Sequence, residues 1–225
     1  MGVLVKVCGL CRPAEVGAAA AGGAAYIGLV FFPPSPRALV PDEAAGLARA
    51  APFDLPLVGV FVDPDDAWLD AVLAKVPLAV VQLHGKESPE RTAAVRARTG
   101  LRVMKALAIA EATDLDAASA YADAADLFLF DAKAPKGAAL PGGNGHAFDW
   151  RLLRGRSFAR PWLLAGGLAA DNLGMAAALS GAAAVDVSSG VESAPGRKDL
   201  ARLQAFLDLA ASLPESHQAE GRIHG

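Results

Sequence analysis

Several short stretches of this 225-residue chain carry residues that can do chemistry. Lys6-Val7-Cys8-Gly9-Leu10-Cys11 sets a thiol beside a glycine, where the backbone can turn tightly. Cys8 is a candidate base or nucleophile, with an inert buried thiol as the competing reading. The C-x-x-C spacing to Cys11 also admits a dithiol redox pair or half of a zinc site. With histidines only at 84, 146, 217 and 224, a tetrahedral zinc site is poorly supplied, and no metal is expected. Phe31-Phe32-Pro33-Pro34-Ser35-Pro36-Arg37 is a proline-stiffened loop ending in a guanidinium. Such a group pairs bidentately with carboxylate or phosphate, so Arg37 is either an anion clamp or a solvated surface arginine. Asp131 follows the apolar run Leu127-Phe128-Leu129-Phe130, a setting suited to a general acid, although a helix-capping or loop aspartate fits too. Asp186 stands inside Ala184-Val185-Asp186-Val187, where solvation does not readily account for it.

Three small-residue loops could bring backbone N–H groups close to an anion. They contain Gly142, Gly143, Asn144 and Gly145; then Gly166 and Gly167; then Ser188, Ser189 and Gly190. Gln82 and His84 share one strand face because side chains alternate with period two, and both could line a site. Lys6 shares the face of Cys8, and Lys105 also falls in a strand; both are read as satisfied interior cations with no part in the chemistry.

Eight β-branched or aromatic runs recur with Ala/Leu/Arg-rich amphipathic segments between them. The runs are Val3 to Val7, Tyr26 to Val30, Leu57 to Phe61, Leu78 to Leu83, Arg102 to Leu107, Leu127 to Phe130, Pro161 to Ala165 and Ala183 to Val187. Helices are expected over Pro13–Gly22, Pro41–Ala51, Asp65–Lys75, Pro89–Arg98, Glu111–Tyr121, Phe148–Arg154, Ala170–Leu179 and Lys198–Ser212. Eight units of about 28 residues leave room for one α/β domain, a (β/α)8 TIM barrel over residues 1–213, and a polar tail over 214–225. An open doubly wound sheet has the same periodicity. The barrel is favoured because the unusual residues gather at the carboxyl ends of the strands and would converge on one mouth. Net charge −3 gives no reason to expect nucleic acid or an anionic membrane as partner, and no apolar run reaches the roughly 18 residues of a membrane helix. The amino terminus lacks a signal-peptide pattern, so cytoplasmic residence is expected.

Taken in order, Lys6-Val7-Cys8-Gly9-Leu10, Gly28-Leu29-Val30-Phe31 with Ser35-Pro36-Arg37, Val58-Gly59-Val60-Phe61-Val62, Val81-Gln82-Leu83-His84-Gly85, Phe130-Asp131, Gly142-Gly143-Asn144-Gly145 with Phe148-Asp149-Trp150, Ala165-Gly166-Gly167-Leu168 and Val185-Asp186-Val187-Ser188-Ser189-Gly190-Val191-Glu192 resemble the phosphoribosylanthranilate isomerase family over about residues 3 to 210. The resemblance implies an enzyme of tryptophan biosynthesis acting on a small phosphoribosyl substrate by an Amadori rearrangement. It implies Cys8 as general base, Asp131 as general acid, Arg37 on the anthranilate carboxylate and Asp186 on the sugar; Gln82 and His84 are placed beside the substrate by their shared strand face alone. Gly142, Gly143, Gly145, Gly166, Gly167, Ser188, Ser189 and Gly190 would hold the phosphate. Cys11 stands where the family often has threonine, Asn144 where threonine or serine is usual, and Phe130-Asp131-Ala132-Lys133 differs around the acid.

One acid and one base suffice for this rearrangement, so no cofactor is expected. Such a pair calls for opposed shifts, a thiol drawn below its usual value near 8.5 and a carboxyl pushed above its usual value near 3.9. A monomer or weak homodimer is expected. The rival readings are a histidine-pathway barrel isomerase, which ordinarily uses two aspartates, a non-catalytic phosphate-ligand barrel, and a C-x-x-C redox protein.

Overall fold

The structure is a computed structural model that describes residues 2–134, 137, 140, 142–143 and 145–214. Asn144, His217, His224 and all of the expected tail except Pro214 lie outside the described residues. Eight strands alternate with helical segments in chain order: β1 (Leu4–Cys8), α1 (Pro13–Ala21), β2 (Tyr26–Val30), α2 (Pro41–Ala50), β3 (Leu57–Phe61), α3 (Asp66–Leu73), β4 (Val80–Leu83), α4 (Pro89–Thr99), β5 (Arg102–Ile109), α5 (Ala117–Ala120), β6 (Leu127–Ala132), β7 (Trp162–Leu164), α6 (Leu173–Ser180), β8 (Ala184–Val187), a hairpin of β9 (Glu192–Ala194) and β10 (Arg197–Lys198), and α7 (Leu200–Ser212). The strands are parallel and close into a barrel in the order β1 to β8. Closure sets Asp186 of β8 opposite Lys6 of β1, and Cys8 of β1 opposite Gly28 of β2.

Strand alternation divides the core in two. Tyr26, Val58, Val80, Met104, Leu127 and Leu129 fill the barrel interior. Their neighbours Ile27, Phe61, Phe128 and Phe130 point outward, where they meet Leu69 of α3 and Leu203 of α7. The same alternation turns Lys6 and Cys8 to the inside. Proline opens α1, α2 and α4, where its missing N–H costs nothing. Asp65 caps α3 by accepting from the Trp68 N–H at 2.7 Å.

Several expected elements differ; the helix expected over Ala170–Leu179, for one, runs from Leu173 to Ser180. In place of a helix over Glu111–Tyr121 there is a 3-10 turn (Ala112–Asp116) and one α-turn, because the Asp114 carboxylate accepts the N–H groups of Ala110 and Glu111 and anchors a tighter entry. The segment expected as a helix over Phe148–Arg154 is the 3-10 helix Trp150–Leu153. The last helix begins at Leu200 rather than Lys198, since Asp199 is its cap and Lys198 is a buried strand residue. Among the described residues no helix is long and apolar enough to cross a membrane.

Candidate active site

Cys8 is the last residue of β1, inward-facing and buried at the barrel mouth. Gly28 beside it supplies the room: a Cβ there would stand 2.9 Å from the Cys8 sulfur. One layer deeper, Lys6 is 0% exposed and donates to Asp186 Oδ1 at 2.8 Å. Burial alone would pull the Lys6 ammonium down, but Asp186, and next the Cys8 sulfur, hold it above the ordinary lysine value. Burial pushes the Cys8 thiol up, Lys6 pulls against that rise, and Asp186 adds to it. The thiol lies above its ordinary value, which corrects the expectation of a lowered one: the barrel interior desolvates the sulfur more than the lysine compensates. Nor is Lys6 a bystander, because it is the cation next to the sulfur.

Asp131 is inward-facing near the end of β6, which runs on to Ala132. Its Oδ1 accepts the Ala132 N–H at 2.8 Å, and its Oδ2 lies 3.1 Å from His84 Nε2. His84 Nδ1 lies 2.9 Å from the Gln82 side-chain nitrogen. With that amide donating to Nδ1, the imidazole carries its proton on Nε2 and donates to Asp131. Gln82 is fully buried, so it acts on the site through His84. Gly142 sits against this pair: a Cβ there would come within 2.6 Å of Asp131 Oδ2 and 2.7 Å of His84 Nε2. A larger residue there would have to displace one of these two side chains.

Cys8, Arg37, His84, Asp131 and Asp186 line a single cleft at the carboxyl ends of the strands. Gly142, Gly143, Gly145, Gly166, Gly167, Ser188 and Ser189 line it as well. Gly190 does not; it packs against the carbonyl of Leu168. Asn172 secures the loop after β7 by donating to the Gly167 carbonyl and accepting from the Ala169 N–H, both at 2.9 Å. The Ser188 hydroxyl donates to the Cys8 carbonyl at 3.1 Å, joining the loop after β8 to the end of β1.

Arg37 is not a solvated surface arginine. It is 6% exposed, and its Nε and Nη2 donate to the two oxygens of Glu192 at 2.8 Å each. Cys11 points away from the cleft chemistry, its sulfur against the carbonyls of Gly9 and Arg37 at 3.7 Å. Lys105 is a satisfied interior cation, as expected from its strand position, and pairs with Glu87 at 2.6 Å. That pair stiffens the β4 exit, since Glu87 also accepts the N–H groups of Asp63 and Gly85. Glu192, Lys198, Glu87 and Glu15 were not singled out from the sequence, and the Val191-Glu192 dipeptide within the eighth motif was the sole signal for any of them.

The family model for N-(5'phosphoribosyl)anthranilate (PRA) isomerase matches residues 5–209. The chain is 59% identical to N-(5'-phosphoribosyl)anthranilate isomerase of Rhodospirillum centenum, over 95% of this chain and 100% of that protein. It is 58% identical to the protein of the same name from Paracoccus denitrificans, over 94% of this chain and 99% of that one. The crystal structure of phosphoribosyl anthranilate isomerase from Thermotoga maritima superposes with a TM-score of 0.84 at 34% identity, covering 94% of this chain and all (100%) of that one. A phosphoribosyl anthranilate isomerase solved in complex with reduced 1-(o-carboxyphenylamino)-1-deoxyribulose 5-phosphate superposes with a TM-score of 0.79 at 31% identity, covering 94% and 100% of the two chains.

Proposed function

This chain belongs to the N-(5'-phosphoribosyl)anthranilate isomerase family, and on that premise we propose that it converts N-(5′-phosphoribosyl)anthranilate to 1-(2-carboxyphenylamino)-1-deoxyribulose 5-phosphate in tryptophan biosynthesis. The observation that carries the reading is that one cleft holds Cys8 from β1 and Asp131 from β6, with a buried arginine and the glycine-rich loops lining the same space.

Asp131 protonates the furanose ring oxygen. The C1′–O4′ bond breaks as the anilino nitrogen lone pair moves in, giving an open-chain iminium ion whose C2′ proton is acidic. Cys8, as thiolate, removes that proton, and the resulting enolamine tautomerises to the ketone. Lys6 stabilises the thiolate before it takes the proton. His84, aligned by Gln82, holds Asp131 Oδ2 in place, so the acid is delivered from a fixed position. Arg37 takes the anthranilate carboxylate, and Asp186 takes the sugar hydroxyls. The backbones of Gly142, Gly143, Gly145, Gly166, Gly167, Ser188 and Ser189 cradle the phosphate, in keeping with the use of the last two barrel loops for that purpose. Gly190 contributes by letting the loop after β8 pack on Leu168.

This reading has the enzyme act in the cytoplasm as a monomer or weak homodimer, which light scattering across concentrations checks. Freshly generated phosphoribosylanthranilate loses its fluorescence as product forms. Rapid loss on adding the protein supports the isomerase; binding without loss would leave a phosphate-ligand barrel.

A further inference from the structure

Arg37 is expected to reach an anionic substrate, yet it already grips a carboxylate of its own chain. Glu192 occupies one edge of the guanidinium, Oε1 on Nε and Oε2 on Nη2, at 2.8 Å each. A guanidinium carries five N–H donors in a rigid plane. Two are spent on Glu192, and the three that remain lie on Nη1 and on the far side of Nη2. Nη1 lies beside Gly143, where a Cβ would stand 2.8 Å from it, and both residues line the cleft. Rotating the plane onto a ligand would tear both bonds to Glu192, so the approach direction is set before substrate arrives.

Glu192 is itself held. Lys198 Nζ donates to Glu192 Oε1 at 2.8 Å and to the Ser188 carbonyl at 3.1 Å, and its backbone N–H donates to Glu15 Oε1 at 3.0 Å. Glu15 also accepts the Cys11 N–H at 2.8 Å, and Arg202 Nη1 donates to the Glu192 carbonyl at 2.6 Å. The turn between β9 and β10 packs on the arginine loop, with Gly196 against the Pro36 carbonyl. Burial pushes the Glu192 carboxyl up, but Arg37 and Lys198 together keep it below its ordinary value and so ionised. One anion shared by two cations leaves one positive charge uncancelled within the trio.

We propose that Glu192, braced by Lys198, is a positioning residue that aims Arg37, leaving a single guanidinium edge for the aryl carboxylate and so setting the preference for a carboxylate-bearing aryl amine. The proposal rests on the reading of Arg37 given above. The β9–β10 hairpin thereby ties three parts together: the carboxylate holder through Glu192, the phosphate loop through Ser188, and the end of β1 through the Ser188 bond to the Cys8 carbonyl.

The test compares KM and kcat for phosphoribosylanthranilate and for its carboxylate-free analogue, N-(5-phosphoribosyl)aniline, in the wild type, Glu192→Gln, Lys198→Met and Arg37→Ala. Glu192→Gln should raise KM for the natural substrate about tenfold or more with kcat little changed, and move KM for the aniline analogue less than about twofold. Lys198→Met, which keeps the Arg37–Glu192 fork, should move the two substrates in the same sense by less and stands in should Glu192→Gln not fold. Equal losses on both substrates in these variants would make the hairpin merely structural and overturn the proposal. A lower KM would also overturn it, by making Glu192 a competitor of the substrate. If Arg37→Ala affects both substrates equally, the reading of Arg37 fails first, and the proposal falls with it.

Discussion

Replacing Lys6 with methionine tests how the barrel interior supports its reactive sulfur. Lys6 is fully enclosed, and its ammonium is 2.8 Å from Asp186. Methionine keeps the length of the side chain and removes the charge, leaving Asp186 buried without a counter-ion. Losing one partner of a buried pair typically costs about 3–5 kcal/mol, a large part of the ~5–15 kcal/mol that holds a domain folded. For a chain of this size that corresponds to a fall in Tm of roughly 6–20 °C. Chemical denaturation should show the loss, and the double variant Lys6→Met/Asp186→Leu should recover most of it, since an apolar pair of similar volume fills the same space. In the single variant the cation that opposes the desolvation of Cys8 is gone while Asp186 still pushes the thiol up. The rising limb of kcat/KM against pH should therefore move to higher pH. A stability loss below about 1 kcal/mol, together with an unmoved limb, would refute the account of this layer.

Four further outcomes follow from the same geometry. Cys8→Ser should lower kcat by about 10²-fold or more with KM nearly unchanged; steady-state kinetics showing a loss in KM alone would make Cys8 a binding residue. Because burial holds the Cys8 thiol above its ordinary value, wild-type kcat/KM should still be rising between about pH 7 and 9; a flat profile from about pH 5 to 10 would exclude Cys8 as base. Stability should fall at both extremes. Glu192, held below its ordinary value, contributes stability that is present above about pH 4.3 and lost as pH falls through its folded value, whereas Cys8 and Lys6, both raised, contribute stability that is lost as pH climbs past about 8.5 and 10.4, respectively, toward their folded values. Urea titrations across pH check this, and Glu192→Gln should remove part of the acid-side loss. Gly142→Ala should cut turnover sharply without unfolding the barrel, since its methyl would collide with Asp131 and His84; near wild-type rates would mean that the loop moves aside.

The barrel was legible because parallel strands leave a plain record of apolar runs divided by amphipathic segments. Cys8, His84 and Asp131 stood out by position at the carboxyl ends, Lys6 and Gln82 by sharing a strand face with Cys8 and His84, and Asp186 as a carboxylate inside an apolar strand. What stayed hidden were partnerships between residues distant in sequence. Glu192 is 155 residues from Arg37, and Lys198 is 183 from Glu15, so no local pattern announces either contact. Lys198 reads like the first turn of a helix until its neighbours are known. The direction of the Cys8 shift was equally out of reach, because it depends on how far the interior excludes water relative to the help Lys6 gives. The Glu111–Tyr121 segment misled for a local reason: its alanine-rich composition suits a helix, but Asp114 caps the chain into a 3-10 turn.

The central claim is that Cys8 takes the C2′ proton after Asp131 opens the ring. Substrate deuterated at C2′ tests this most directly, by following release of the label to solvent alongside turnover in the wild type, Cys8→Ser and Asp131→Asn. The account predicts a primary isotope effect and label release in the wild type and loss of both label release and product in each variant. Label release that persists in Cys8→Ser at the wild-type rate would contradict it.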